Sequence, residues 1–350
     1  MISNKKFKCF DNNAIIIWGI QTFVWIMLAL YHADTSYITR VVLLIVTVLL
    51  LLCNYIKTNS YTPLIKVLNY IIFIQAVFAA VGFFLVLSGL LQPLLYYDNV
   101  DMRQGEFYLL TCTNTRVVNF IRVSGYFDEP GAFAFWGIFS LIFNKLFVGN
   151  KRIEIGLMLC LLFTFSMAYL LELVLYLVLL GKGNFKRIAI VVAVVAVLAN
   201  YLSKFDTTSN EVLNHLIFER VDTNLNEGNE RNDMSQRAIK HFKASPILGA
   251  GAERLESIEY IGDNPYEILA KDGIVGYLVV YLPLLMAFIK GNKKEKLAVL
   301  ILFVDYQQRP FHINPMHFLY LDLFLLAVLL QNKRATIFNE EQSPLLKASM

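Results

Sequence analysis

The chain has 350 residues, of which 57% are hydrophobic and 17% are charged, and its mean hydropathy is +0.55. Because a soluble domain carries about 25% charged residues, this composition excludes a water-soluble globular protein and predicts a chain that folds in lipid. The formal net charge of +4 does not indicate a nucleic-acid partner, because short basic loops between membrane helices explain many of the lysines and arginines.

Long apolar runs such as Val41–Cys53 and Ile188–Ala199 approach or reach the length that crosses about 30 Å of hydrocarbon once their flanks are included. Ten membrane spans are predicted in all. The first is long enough to remain a membrane helix instead of a cleavable signal peptide. The fold class predicted is an all-α integral membrane protein, with residues 1–350 forming a single polytopic domain. In chain order the predicted spans are Ala14–His32, Ile38–Ile56, Leu68–Leu91, Gly131–Val148, Ile155–Ser166, Met167–Leu180, Ile188–Leu202, Gly273–Ile289, Leu297–Tyr306 and Pro315–Leu330.

The distribution of lysine and arginine orients these spans and decides how the segment from Ile155 to Leu180 is divided. This segment is long for one helix and short for two. A break near Thr164-Phe165-Ser166 produces a helical hairpin that keeps the basic loop of residues 181–187 in the cytoplasm, where such loops are normally found. Both termini are then cytoplasmic, including a tail of residues 331–350. Three segments lie outside the membrane: residues 92–130, residues 203–272, which we expect to contain short helices, and a short stretch around 307–314.

The outer segments contain eight arginines, although outer loops of membrane proteins are normally poor in basic residues. A guanidinium presents a planar fork of donors that matches a phosphate group, so the pattern indicates anion binding. Pairing with nearby carboxylates is the alternative for any single arginine. The eight residues are Arg103, Arg116, Arg122, Arg220, Arg231, Arg237, Arg254 and Arg309.

The first candidate site is the segment from Arg122 to Ala132, just before the fourth span. Its glycines and Pro130 predict a shaped loop that leads into a helix. Asp128 and Glu129 suit the positive amino-terminal end of that helix, which is one interpretation of the pattern. The other interpretation makes one of these carboxylates a general base beside a phosphate-binding Arg122.

Two further candidate sites lie in the large outer loop. Residues 218–251 contain a predicted helix from Ser235 to Lys243, which either lies at the lipid interface or binds phosphate or sugar. Asp263–Gly276 forms the entry to the eighth span. Its acidic residues Asp263, Glu267 and Asp272 form either a polar helix entry or a surface that meets both water and a lipid-linked headgroup.

Together these segments resemble the O-antigen polymerase/ligase family (Wzy and WaaL type) over roughly residues 115–280. Arg122 to Ala132 resembles its R-x-S-G-x-F-x-E-P stretch, and Leu161–Ser166 resembles the break between its two short spans. Arg231 followed by Pro246–Gly251 is similar to the outer-loop arginine and P-x-x-G-x-G element. Asn264–Gly276 is similar to the H-N-x-x-L…G-x-x-G segment, except that Asp263 stands where many members carry histidine.

The resemblance implies a glycosyltransferase that polymerises undecaprenyl-diphosphate-linked repeat units into O-antigen or a related surface polysaccharide, on the outer face of the bacterial inner membrane. It implies catalytic roles for Arg122 and Arg231, which would stabilise the leaving diphosphate, and for Glu129 or Asp263 as base or positioning group. No metal and no cofactor are expected. Besides the glycan substrate and membrane lipid, a chain-length regulator protein is the expected partner. The substrate-binding candidates are Asp128, Arg220, Arg237, Asn264 and Arg309.

Three alternatives remain open at this point. A ligase that transfers finished polysaccharide to lipid A core is disfavoured by the missing histidine at Asp263. A transporter or flippase for lipid-linked sugars would show internal repeats, and the sequence has none. A membrane scaffold gives no reason for the outer arginines. Glu172, Asp305 and Asp322 fall within predicted spans, where ionisable groups are functional candidates; we expect Asp305 to be solvated and assign no role to the other two.

Overall fold

A computed structural model of the chain describes residues 11–98, 104–117, 120–181, 230–259, 261–262, 264–309 and 315–348. These residues form eleven α-helices and five short strands. The helices are α1 (Asn12–His32), α2 (Ser36–Thr58), α3 (Thr62–Leu87), α4 (Pro130–Phe143), α5 (Lys151–Cys160), α6 (Met167–Leu179), α7 (Glu230–Ala244), α8 (Ala252–Ile258), α9 (Glu267–Lys290), α10 (Lys293–Gln308) and α11 (Pro315–Ala348). The strands are β1 (Leu95–Asp98), β2 (Gln104–Phe107), β3 (Cys112–Thr113), β4 (Arg116–Val117) and β5 (Phe120–Ile121).

The contacts divide the chain into two compact units. The first unit comprises residues 1–65 and 233–350, and the second comprises residues 66–232. The single polytopic domain of residues 1–350 stays a prediction.

The first unit is a bundle in which α1 packs against α2 and α9, while α11 packs against α2 and α9. The ends of its helices are fixed by local hydrogen bonds. Asp11 accepts a hydrogen bond from the backbone of Asn13 and caps α1. Asn292 and Glu295 form a reciprocal capping box at the start of α10, which satisfies backbone donors that a helix end otherwise leaves open.

The second unit is organised around α4, whose residues from Ala132 to Phe143 are all buried. Pro130 begins this helix, where its missing N–H is not needed. A π-helical turn, Asn144–Val148, continues α4 and ends at Gly149, which has a positive φ. Aromatic rings from α3, β5 and the turn after α5 meet in one cluster of Phe83, Phe120, Phe163 and Phe165.

Helices α5 and α6 form the hairpin that the charge distribution predicts. A 3₁₀ turn, Leu161–Thr164, follows α5, Phe165 takes the left-handed conformation, and the Ser166 side chain caps α6. The Tyr169 hydroxyl donates to the carbonyls of Leu157 and Met158, and the Tyr176 hydroxyl donates to Glu154 Oε1 at 2.9 Å. These contacts place the two helices side by side and antiparallel.

Nine of the ten predicted spans coincide with helices, and the tenth, Ile188–Leu202, lies outside the described residues. Six of the described helices are long and apolar enough to cross a membrane; they are α1, α2, α3, α4 with its π-helical turn, α9 and the first part of α11. The total of ten spans stays a prediction. The expectation that Asp305 is solvated is wrong, because packing within the unit leaves this residue 2% exposed.

The segment of residues 92–130, which is predicted to lie outside the membrane, contains strands that the sequence does not predict. Strands β1, β2 and β3 form an antiparallel sheet in that order, and β4 pairs with β5. In the first sheet Tyr97 lies opposite Gly105. A side chain at Gly105 would overlap the Tyr97 ring, so the glycine allows the ring to cross the neighbouring strand. Within residues 203–272, which are predicted to form a large outer loop with short helices, the described residues contain the two helices α7 and α8.

Candidate functional site

In the second unit, the segment that begins at Arg122 is fixed to the turn between α5 and α6. Arg122 is buried, and its Nε donates to the carbonyl oxygen of Thr164 at 3.0 Å. The backbone N–H of Val123 donates to the carbonyl of Phe163 at 3.2 Å. Two stretches about forty residues apart in the sequence therefore form one structural element, and the guanidinium of Arg122 is held in a defined orientation.

A tight turn at Gly125 carries the chain from Arg122 to the amino terminus of α4. Gly125 has φ +58°, and a Cβ atom there would approach the Phe133 ring and Gln75 Oε1 to 3.2 Å. The Ser124 hydroxyl donates to the carbonyl of Phe127 and closes the turn. The left-handed backbone conformation favours glycine at this position, and the close neighbours would have to shift by a few tenths of an ångström to admit a side chain.

The turn places Asp128 and Glu129 at the start of α4. Glu129 occupies the N-cap position in an extended conformation, and its side chain makes no capping hydrogen bond. Asp128 is exposed and Glu129 is half-buried. Both carboxylates thus lie at the amino-terminal end of α4, as either interpretation of the segment requires, and the choice between helix start and general base stays open.

In the first unit, the segment Pro246–Gly251 packs backbone against backbone on the beginning of α9. The N–H groups of Ala250 and Gly251 donate to the carbonyls of Ala270 and Lys271, and the N–H groups of Ile274 and Val275 donate to Pro246 and Ile247. Helix α9 is kinked at Gly273, where φ is +65°. The kink frees the donors and acceptors that bind this segment.

The kink brings Asp272 against Arg40 of α2. Arg40 Nη1 lies 2.5 Å from Asp272 Oδ2, and both side chains are 0% exposed. The Tyr37 hydroxyl donates to Asp272 Oδ1 at 2.8 Å. The guanidinium also packs against the rings of Tyr37 and Trp25, at 4.5 and 4.9 Å from their centroids. The ion pair is therefore enclosed by the protein and flanked by two aromatic rings.

A second set of charges adjoins the pair. Lys271 Nζ contacts Glu256 and Glu267, each at 2.8 Å. The segment before α9 is also tied to the α1–α2 loop, because His32 Nε2 lies 2.9 Å from the Leu248 carbonyl oxygen. Of the acidic residues that the sequence places at this helix entry, Glu267 and Asp272 are thus both paired inside the protein instead of facing water.

The remaining predicted site residues have different surroundings. Asn264 is buried, and its side-chain amide binds the backbone of Ile261, Gly262 and Tyr266. Arg237 is exposed on α7, and its Nε lies 3.6 Å from Glu259, which also contacts His241. Arg309 follows α10. Arg231 lies in the first turn of α7, but its side chain, like all of Arg220 and Asp263, is outside the described residues.

The structure thus holds Arg122, Asp128 and Glu129 in the second unit, and Arg237, Asn264 and Arg309 in the first. Sequence reasoning missed Arg40, which is counted only as part of the second predicted span. An arginine in the second turn of an otherwise apolar span is costly unless it is paired, and this signal was sufficient to single it out. Its partner Asp272 is 232 positions away.

No group of three His, Cys, Asp or Glu side chains suited to hold a metal ion is found in the described ranges. The apolar helices and the hairpin define an α-helical, multi-pass membrane protein. No family model, no curated protein and no solved structure matches the chain.

The carboxylate of Asp34 links the α1–α2 loop to α8. It accepts hydrogen bonds from the backbone N–H groups of Ser36 and Glu253, both at 2.8 Å. Burial alone would raise the pKa of Asp34, but the hydrogen bonds from Ser36 and Glu253 hold that pKa below its ordinary value. The ionised form therefore stabilises the fold.

Because the pKa of Asp34 is lower in the folded state, its contribution is complete above about pH 4 and is lost as the pH falls through the folded pKa. We expect Asp34→Asn to lower the melting temperature at pH 6, and we expect this difference to shrink at pH 3. Thermal unfolding of the purified protein at both pH values checks this. Asp98→Asn, at an exposed position, is the control. An equal destabilisation at both pH values would contradict the prediction.

Proposed function

We propose that the protein is a membrane glycosyltransferase that polymerises polyprenyl-diphosphate-linked repeat units into O-antigen or a related surface polysaccharide. One observation carries the proposal: the four segments that resemble O-antigen polymerases and ligases contact one another in two pairs. Arg122 binds the carbonyl of Thr164 in the second unit, and Pro246–Gly251 binds the backbone of residues 270–275 in the first. Segments that are far apart in the sequence thus form two structural elements.

The reaction joins a sugar hydroxyl to the anomeric carbon of a lipid-linked glycan. The hydroxyl oxygen forms the new bond, the bond from the anomeric carbon to the diphosphate oxygen breaks, and the diphosphate leaves with the electron pair. Glu129, a half-buried carboxylate at the N-cap position of α4, is the first candidate to accept the proton of the hydroxyl. Asp263 is the second candidate for this role.

Arg122 is suited to stabilise the negative charge that develops on the leaving diphosphate. Its Nε is fixed by the Thr164 carbonyl, so its plane is oriented before the substrate arrives, and preorganised charge of this kind is an efficient source of catalysis. Arg231 is assigned the same role, and Asp128, Arg220, Arg237, Asn264 and Arg309 are assigned to the substrate. In this proposal the enzyme works on the outer face of the bacterial inner membrane, with ten spans and both termini in the cytoplasm.

We expect Arg122→Ala to abolish the polymer while the chain still reaches the membrane. Surface glycans and lipopolysaccharide from cells that lack the gene are separated on a gel after complementation with wild type or variant. Wild type restores the ladder of bands that glycans of increasing length produce, whereas Arg122→Ala leaves a single band of core plus one repeat unit. Arg152→Ala, an exposed arginine at the other end of the α5–α6 hairpin, is the matched control and restores the ladder.

The same gel separates the alternatives. Loss of the single-unit band together with the ladder would favour a ligase or a flippase, and an unchanged ladder in cells without the gene would remove O-antigen polymerisation. Arg122→Lys, which retains the charge but not the fork, distinguishes bidentate binding from charge alone. The amount of each variant in the membrane fraction is measured in parallel, so that a lost ladder is not mistaken for lost protein.

A further inference from the structure

Arg40 uses only part of its hydrogen-bonding capacity inside the first unit. Its Nη1 pairs with Asp272, and the whole side chain is 0% exposed. Among the residues that the structure describes, Nε and Nη2 of Arg40 have no hydrogen-bond partner. A buried cationic donor without an acceptor is costly, so this arrangement requires a physical reason.

The two unpartnered atoms lie along one edge of the planar guanidinium. This edge is the fork with which arginine binds two oxygens of a phosphate or a carboxylate at once. Asp272 does not use the fork, because it is bound through Nη1, and its other oxygen accepts the hydrogen bond from Tyr37. The arginine is therefore anchored from one side and presents its bidentate edge on the other.

The neighbouring charges do not compete for this fork. Lys271, the next residue to Asp272, contacts Glu256 and Glu267, so these two carboxylates are already paired with a cation. The rings of Trp25 and Tyr37 pack against the guanidinium and limit its rotation. The surroundings thus fix one orientation of Arg40. An acceptor for Nε and Nη2 would have to come from outside the described residues.

The position of Arg40 along α2 indicates what that acceptor is. It is four residues after Ser36, the first residue of the helix, which is about 6 Å along the helix axis. In a membrane-spanning helix this depth lies close to the level of the lipid headgroups, where phosphoryl groups are the abundant oxyanions. A phosphoryl group also has the tetrahedral oxygens that suit bidentate binding.

We propose that Arg40 binds a phosphoryl group of a lipid through Nε and Nη2. A polyprenyl diphosphate and an anionic phospholipid share this chemistry, and the experiment below distinguishes them. Since Arg40 is fully enclosed, binding through this edge requires the side chains that cover it to move. The inference concerns binding alone and holds whether or not the protein transfers glycans.

The test measures lipid binding by the full-length protein in nanodiscs made of zwitterionic phosphatidylcholine. Undecaprenyl diphosphate, phosphatidylglycerol and inorganic diphosphate are titrated separately, and bound lipid is counted by native mass spectrometry. We expect Arg40→Lys, which retains the charge for Asp272 but loses the fork, to weaken lipid binding about tenfold or more. Arg152→Lys, at an exposed arginine at the start of α5, leaves binding unchanged.

The double variant Arg40→Leu with Asp272→Leu guards against misfolding, because replacing both members of a buried ion pair by apolar residues often preserves the fold. It is expected to melt cooperatively and to have lost lipid binding. Weaker binding of undecaprenyl diphosphate alone identifies the polyprenyl lipid, and weaker binding of phosphatidylglycerol as well identifies phospholipid; both support the site. Wild-type affinity in the two Arg40 variants, or no lipid binding by the wild type, would overturn the proposal. Neither outcome depends on the ladder that tests polymerisation.

Discussion

Asp272→Ala is expected to destabilise the first unit by about 3–5 kcal/mol, because it leaves the enclosed guanidinium of Arg40 without its counter-charge. Both members of the pair are 0% exposed, so water cannot replace the lost carboxylate. In the same substitution the Tyr37 hydroxyl loses its 2.8 Å hydrogen bond to Asp272 and keeps only the 3.3 Å one to the Lys271 carbonyl oxygen. The expected result is a strongly lowered melting temperature, or loss of monodisperse protein on extraction from the membrane.

The matched control for this prediction is Glu256→Ala. Glu256 also contacts a cation, Lys271, but its side chain is 59% exposed, and ion pairs at the surface contribute about 0–1 kcal/mol. Thermal unfolding of the two variants in the same detergent compares them directly. Equal, small shifts in melting temperature for Asp272→Ala and Glu256→Ala would show that the buried pair does not stabilise the unit.

Gly249→Ala is expected to destabilise the first unit by about 2–5 kcal/mol, combining left-handed backbone strain with overpacking. Gly249 has φ +74°, and a Cβ atom there would lie 2.2 Å from the Lys271 carbonyl oxygen. The obstructing atoms belong to the backbone, which cannot move aside as a flexible side chain can. The substitution therefore pushes Pro246–Gly251 away from α9 and disturbs the position of Asp272.

Gly89→Ala is the control that separates backbone strain from overpacking in the destabilisation expected for Gly249→Ala. Gly89 has nearly the same φ, +75°, but nothing lies within 4 Å of its added Cβ atom. We expect this control to lose about 1–2 kcal/mol from the backbone conformation alone. Comparison of melting temperatures checks the difference, and a Gly249→Ala variant as stable as Gly89→Ala would mean that the segment does not pack tightly on α9.

Much of the membrane architecture is predictable from the sequence because hydropathy and charge act locally. The apolar runs locate the helices, and the basic loop after Leu180 predicts the hairpin that the contacts of Tyr169 and Tyr176 confirm. The start of the eighth predicted span at Gly273 coincides with the kink in α9. The predicted helix Ser235–Lys243 is found, although it begins five residues earlier, at Glu230.

The parts that could not be predicted depend on pairing between distant or very short segments. Strands β3, β4 and β5 have two residues each, too few to show an alternating pattern. The pairing of Arg40 with Asp272 could not be predicted because the two residues are far apart in the sequence. The surroundings of Asp272 are set by the kink at Gly273. Hydropathy places both charged residues near a membrane boundary, whereas only tertiary packing encloses them.

In the candidate site, too, local features are predictable from the sequence and long-range contacts are not. The turn at Gly125 and the helix start at Pro130 follow from local sequence, and the structure contains both. The hydrogen bond from Arg122 to Thr164 is a long-range contact that the sequence analysis does not predict. It links two segments which resemble one family for separate reasons, and this is why it supports the proposed function more strongly than either segment alone.

The central claim is tested most directly by reconstitution. Purified protein in liposomes is given a synthetic undecaprenyl-diphosphate-linked repeat unit, and the lengths of the glycans are measured on a gel. The account predicts that the wild type forms polymers while Arg122→Ala and Glu129→Gln, both folded by their melting curves, form none, and that Arg152→Ala behaves as the wild type. Polymer from Arg122→Ala at the wild-type rate, or none from folded wild-type protein, would contradict the account.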